Sequence, residues 1–328
     1  MPICARLCAT IWRRAFLLLP FFAAFVAVFQ SNHVSAHCFV GARFFPATVA
    51  SEDPCVADEL SLPTFSTIRT PPIGEEPGTR ETSYSFDFAR RLTPNLGIEI
   101  GRSFLSLSPA GLPRVRGWDN LEAGLKYQLF SDPRHEFVFS AGVDFDIGGT
   151  GVRRVGAEGF STVTPQIYFG KGFGDLADGL SLLKPFAVTG VVGYGIPTRT
   201  QSLIPGDPDP EIEFNPRTLN TALSIQYSLP YLQANVRDTG FGAVFNHLIP
   251  LVEFNFQTPL DAGQRGRTIG TINPGLIWAE KQYQLSVQAI IPANSRTGNN
   301  TGVLAQLHFY LDDMFPAVFG RPVFGGRR

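Results

Sequence analysis

Residues 137–147, FVFSAGVDFDI, set Phe137, Phe139, Ala141, Val143, Phe145 and Ile147 alternately with Val138, Ser140, Gly142, Asp144 and Asp146. An extended chain turns successive side chains to opposite faces, so this stretch shows rings on one side and carboxylates on the other. The pattern recurs in LEAGLKYQL (121–129), TLNTALSIQYSL (218–229), VEFNFQ (252–257), QYQLSVQAII (282–291) and VLAQLHFYLD (303–312). Each pairs an apolar face with a polar one, and no helical period persists beyond a short segment. Weaker members bring the set to eleven strands: 82–92, 96–107, 117–130, 136–148, 160–171, 185–197, 217–229, 247–258, 268–280, 282–292 and 301–312. Soluble strands are commonly about 5–6 residues long. Tilted strands that cross a membrane need about 9–11, which these lengths match better.

The connections constrain topology further. TPN (93–95), SDPRH (131–135) and the turn at Glu280–Lys281 are short, whereas 108–116, 149–159, 198–216, 259–267 and 293–300 are long, polar and rich in Gly or Pro. Short periplasmic turns opposite long external loops are the outer-membrane pattern. Two connections on the short side, 172–184 and 230–246, are long. In the first, Leu176, Leu180 and Leu183 stand at helical spacing and predict a small amphipathic helix at the rim. A chain exported from the periplasmic side needs one more crossing before 82–92. ELSLPTFSTIR (59–69) is the candidate, although Pro63 lacks a ladder donor. The expectation is an all-β, transmembrane, antiparallel up-and-down barrel of twelve strands, with ten or fourteen as alternatives.

In such a barrel the aromatic face meets lipid and the polar face meets a wet lumen. Asp87, Arg91, Glu122, Lys126, Asp144, Asp146, Glu253 and His308 are then predicted to face the lumen. Trp118, Phe160, Tyr194 and Phe256 fall near the external strand ends, with Tyr127, Phe169, Tyr227, Trp278 and Phe309 near the periplasmic ends, as aromatic girdles would. The competing architecture is a soluble two-sheet sandwich that buries its aromatic faces.

The N-terminus reads as an export leader. Arg6, Arg13 and Arg14 precede the apolar run AFLLLPFFAAFVAVF (15–29), and VSA (34–36) offers small residues before His37. An uncleaved anchor is the alternative. Three of the chain's 27 basic residues and none of its 28 acidic ones lie there, leaving 24 against 28 and a formal charge of −4. That balance argues against nucleic-acid binding. Cys4 and Cys8 leave with the leader, so Cys38 and Cys55 remain and are expected to form one disulfide in an oxidising compartment. A lipidated Cys38 and a metal site with His37 are weaker readings. The domain expectation is a leader at 1–36, a periplasmic or plug segment at 37–58, a barrel at 59–313 and a tail at 314–328.

No catalytic constellation stands out. His308 is the one histidine within a confident strand, and nothing in the sequence brings Ser140, Ser224 or Ser286 to it. GGTG (148–151) lacks the Lys-Ser/Thr of a phosphate loop and reads as turn glycines. No metal or cofactor is expected. The predicted external loops do carry arginines, among them Arg114, Arg116, Arg153, Arg154, Arg265 and Arg267. Guanidinium groups suit phosphates, so lipopolysaccharide or anionic solutes are candidate partners, against the plain reading of solvated loop charge.

HCFVGARFFPATVASEDPCVADELSLP (37–63), HEFVFSAGVDFDIGGTG (135–151), STVTPQIYFGKGFGDL (161–176) and LDDMFPAVFGRPVF (311–324) resemble outer-membrane proteins of alphaproteobacteria. These are similar in outline to the phenol-degradation outer-membrane proteins, themselves loosely akin to hydrophobic-solute channels. The resemblance implies a barrel in the outer membrane and passive transport of small solutes, hydrophobic or aromatic ones included. It carries no catalytic motif. The alternative is a closed structural barrel that binds lipopolysaccharide or a partner through its loops. A lipid-modifying enzyme is the third reading, and it requires His308 beside a serine and an acid.

Overall fold

The computed structural model describes residues 38–49, 52–72, 77–204, 211–240 and 242–325. The expected leader and His37 therefore lie outside the described residues. A short hairpin comes first, β1 (Phe39–Val40) and β2 (Arg43–Phe44). Seven long strands follow: β3 (Glu59–Thr70), β4 (Thr79–Arg91), β5 (Leu96–Pro109), β6 (Val115–Asp132), β7 (Phe137–Ile147), β8 (Thr162–Gly172) and β9 (Phe186–Pro197). A second hairpin, β10 (Gln201–Ile204) with β11 (Glu211–Phe214), leads to β12 (Thr218–Tyr227), β13 (Leu248–Pro259), β14 (Ile269–Ala279), β15 (Tyr283–Pro292) and β16 (Gly302–Tyr310).

The twelve long strands form one closed antiparallel barrel in chain order, with β9 beside β12 and β16 returning to β3. The sequence predicts this architecture and count, and no strand boundary differs by more than three residues. Because twelve is even, β3 starts and β16 ends at one rim, where Glu59 pairs with Tyr310. The short turns lie at that rim, and the long loops lie at the other.

Pro63 shows how the least regular strand is accommodated. Ser61 pairs with Asp87 and Thr64 with Ser85, so Leu62 and Pro63 share the place of one residue on β4. A bulge is where a strand tolerates a missing donor. It also resets the alternation: Ser61 is buried, and Thr64 accepts a bond from inward Gln306, while Leu62 is exposed.

The two faces of the wall differ sharply. Large apolar side chains cover the outside: Ile100, Leu125, Ile167, Val192, Leu276, Leu285 and Val287 are all at least 40 % exposed. Their neighbours on the inside, such as Ser140, Tyr168, Ser224, Gln284 and Gln288, are at most 1 % exposed. An apolar belt spread around a closed cylinder far exceeds the patches that water-soluble monomers show. Closure meanwhile satisfies the backbone donors and acceptors of every strand, as a hydrocarbon surrounding demands. No helix among the described residues is long and apolar enough to cross a membrane.

Two connections differ from expectation. The 198–216 loop carries the β10–β11 ribbon, with Leu203 and Ile212 exposed. Of 172–184 only Asp178–Leu183 is helical, a 3₁₀ segment that leaves Leu176 outside it and Leu180, Leu182 and Leu183 exposed at the short-turn rim.

Candidate functional site

The barrel interior is occupied at its short-turn end by the chain's own N-terminal segment. Gly41 makes the β1–β2 turn with φ +65°, a conformation that favours glycine, and a Cβ there would fall 2.2 Å from the Pro133 carbonyl oxygen. The turn delivers Arg43, wholly buried, into a knot at the rim. Its Nε donates to Glu136 Oε2 at 3.1 Å, its Nη1 to the Pro185 carbonyl at 3.0 Å, and its Nη2 to the Lys184 carbonyl at 2.5 Å. The guanidinium lies 3.8 Å from the centre of the Tyr231 ring, and Tyr231 Oη donates to Glu136 Oε1 at 2.8 Å. Burial, with the Glu136 carboxylate beside it, pushes the Tyr231 hydroxyl up to about 12.

From this knot the segment runs inside the wall. Cys38 and Cys55 are joined in the disulfide, and with Val40 and Phe45 they pack on inward Val138 and Ala187. Phe44 packs on Ile249, Leu251 and Ile277. Where the segment covers it, the inner wall is apolar. Polar anchors hold the rest: Ser140 Oγ donates to the Pro54 carbonyl at 2.5 Å and Gln284 Nε2 to the Ala47 carbonyl at 2.6 Å. Lys126 Nζ donates to the Asp53 carbonyl at 3.0 Å, and it lies 3.2 Å from Glu52 and 4.4 Å from the Tyr168 ring centre.

Above the segment lies a cavity of about 610 Å³, lined by residues from Ala47 and Cys55 below to Gly270 and Thr297 at the long-loop end. A second cavity of about 240 Å³ shares Glu52, Asp87, Glu99, Glu122, Gln166 and Asn220 with it. Asp87, Glu122 and Lys126 line the first, Asp144 and Asp146 line the second, and His308 lines the first. Gln166 Nε2 donates to Asp144 and Asn120 Nδ2 to Asp146, the latter at 2.9 Å. Glu253, fully buried on β13, accepts from Gln288 Nε2 at 2.7 Å. Arg91 sits lower, at the short-turn rim, where its Nε meets Asp58 Oδ2 at 2.6 Å. The inner-wall glycines hold space for carboxylates: a Cβ on Gly101 would lie 2.4 Å from Asp87 Oδ1, and one on Gly124 2.9 Å from Asp144 Oδ1.

Several lining residues escape sequence reasoning. Glu99 obeys the alternation of β5, between Ile98 and Ile100, and a stricter parity count finds it. Glu52 and Asp53 belong to the segment, whose path no local pattern reveals. Glu59 and Ser61 are hidden by the bulge at Pro63.

The structure does bring a serine and an acid to His308. Ser61 Oγ lies 2.9 Å from its Nδ1, and Glu59 Oε2 lies 3.5 Å from its Nε2. This meets the condition set for the enzymatic reading. The surroundings oppose nucleophilic chemistry, however, because an oxyanion formed there would share its cavity with Glu52, Asp53 and Asp87. Oxyanions need donors, not carboxylates. Cys38, Asp53 and Cys55 bring ligand-type atoms within 4.8 Å of one another, but the disulfide consumes both thiolates. The six loop arginines are all exposed at the long-loop end. Arg114 Nε donates to Ser108 Oγ at 2.8 Å and Arg154 Nε to the Arg116 carbonyl at 3.1 Å.

No protein-family model and no curated protein sequence matches the chain. Solved structures do. An outer membrane channel from Pseudomonas putida F1 superposes with a TM-score of 0.53 at 12 % identity, covering 81 % of this chain and 99 % of that one. The NanC porin gives 0.44 at 6 % identity, covering 76 % and 98 %. The outer membrane phospholipase A from Escherichia coli gives 0.38 at 12 % identity, covering 78 % and 93 %. At such identities the first likeness shows a shared fold, that of a closed membrane-type β-barrel, and the other two carry no weight.

Proposed function

We propose that this chain is an outer-membrane channel through which small solutes pass passively, in a lumen narrowed by its own N-terminal segment. One observation carries the reading: a cavity lined by carboxylates, amides and apolar side chains inside a closed barrel, running from the long-loop end down to that segment, beneath an apolar exterior suited to lipid. Eight strands leave an interior filled by side chains and sixteen an open pore, so twelve leave intermediate room. In this reading residues 1–36 direct export and 37–58 act as the plug. The exposed arginines of the long loops contact the phosphates of lipopolysaccharide. Apolar or aromatic solutes find a more aromatic surface lower down, in a pocket of about 460 Å³ whose lining includes Phe39, Phe44, Tyr231 and Tyr310. The lumen itself suits polar ones.

A second reading, a sealed barrel that binds surface lipid or a partner, is favoured by the closely packed apolar contacts of Val40, Phe44 and Phe45 across the short-turn end. Planar-bilayer recording separates the two. The folded chain is expected to give discrete conductance steps at fixed voltage. A barrel silent at every voltage would leave the sealed reading standing.

A further inference from the structure

The charge inside the barrel is distributed unevenly, both in sign and around the ring. Strands β4 to β7 turn Asp87, Glu99, Glu122, Asp144 and Asp146 onto the two cavities. Glu52 of the N-terminal segment joins them, and Lys126 is the lone lysine or arginine among the residues that line either cavity. Lys126 is engaged by Glu52 and by the Asp53 carbonyl, so it cross-links the segment to the wall and leaves the other carboxylates uncompensated.

Elsewhere around the ring, from β12, six strands from β4, to β16, two strands from it, the wall presents neutral amides instead. Asn220, Asn255 and Gln306 line the same main cavity. Gln306 is 7 % exposed; its Nε2 donates to Thr64 at 3.0 Å, while its Oε1 has no hydrogen-bond partner. The Asn220 Oδ1 and both amide atoms of Asn255 are likewise unpartnered. A buried acceptor in this state is suited to an N–H or O–H brought by a solute. The one carboxylate on this side, Glu253, is fully buried and already accepts from Gln288.

We propose that the lumen selects small organic cations, namely polar amines whose ammonium group meets the acidic wall while their remaining donors meet the amide wall. The inference rests on the channel reading for its transport meaning, but not for its chemistry. Charges of one sign within low-dielectric walls focus the field, raise the local concentration of cations and repel anions. The amides supply hydrogen bonds without a second charge, so inorganic cations gain only half of the arrangement. The arginines outside do not reverse this, since they lie at the exposed loops, where salt screens them over about 8–10 Å.

Two measurements on the full-length folded protein test the proposal. Reversal potentials in a KCl gradient are expected to show potassium preferred over chloride several-fold, and E99Q/E122Q/D144N is expected to abolish most of that preference. Independently of any conductance, calorimetric titration of the detergent-solubilised barrel with spermidine is expected to show saturable binding, weakened about tenfold by the same triple variant. Q306L is expected to weaken spermidine more than potassium selectivity, because it removes amide hydrogen bonding but no charge. Anion preference, or spermidine binding unchanged in the triple variant, overturns the proposal. A silent barrel would remove the channel reading, and the titration would still decide this one.

Discussion

Replacing Arg91 with alanine is expected to destabilise the folded barrel by about 3–5 kcal/mol, the scale found when one partner of a buried ion pair is removed. Arg91 is 1 % exposed. Its Nε donates to Asp58 Oδ2 at 2.6 Å and its backbone N–H to Asp58 Oδ1 at 2.7 Å. Its Nη2 donates to the Phe319 carbonyl at 3.2 Å and lies 3.6 Å from Asp312 Oδ2. Truncation leaves the fully buried Asp58 with Arg90 as its remaining guanidinium partner, at 2.9 Å. The same change loosens three parts of the chain at once. Asp58 ends the N-terminal segment, Asp312 lies just past β16, and in the tail Phe319 accepts from Arg91 while the Val323 N–H donates to the Arg91 carbonyl at 3.1 Å. Urea unfolding in lipid vesicles, followed by tryptophan fluorescence, reads the effect. Arg91→Lys restores the charge but not the two-pronged geometry and is expected to recover part of the loss. A midpoint unchanged in Arg91→Ala would mean that the cluster is solvated and contributes little.

Deleting residues 38–57 is expected to raise single-channel conductance several-fold. The segment fills the short-turn half of the lumen, with Phe45 wholly buried and Arg43 locked to Glu136. The barrel wall does not depend on it for hydrogen bonding, because every barrel strand pairs with two others around the closed ring. Its loss does bare Val138, Ile249, Leu251 and Ile277 to water. Faster migration of the unheated protein than of the heated protein on a denaturing gel confirms that the variant is folded before it is recorded. Conductance unchanged by the deletion would show that the passage runs elsewhere or is closed by other parts.

The wall was legible in the sequence because a membrane barrel writes its two solvents into alternate residues. FVFSAGVDFDI shows why: Val138 and Ser140 inside are fully buried, while Phe145 outside is 40 % exposed. Short and long connections then supplied the direction and the even count. Three features were not legible. The β10–β11 ribbon alternates too, yet its two strands are four residues each and frame a Gly/Pro-rich stretch that reads as plain loop. The inward Ile249 and Leu251 have no reason to be apolar until Phe44 is known to lie against them. The neighbours of His308 depend on the closure of β16 onto β3, a pairing between residues 247 positions apart for Ser61, and on a bulge that reverses parity. Local patterns thus reveal the surface a strand offers to lipid or water. What fills a barrel is decided by contacts distant in sequence.

Spin-label accessibility at Ile167 and Asp144 addresses the sided wall most directly. Single labels at the two positions, in barrels reconstituted into vesicles, are relaxed either by oxygen, which concentrates in hydrocarbon, or by a water-soluble nickel chelate. The label at position 167 is expected to respond to oxygen and be shielded from nickel, and the label at 144 is expected to do the reverse. Nickel access at 167 equal to that at 144 would contradict a barrel with lipid outside and water within.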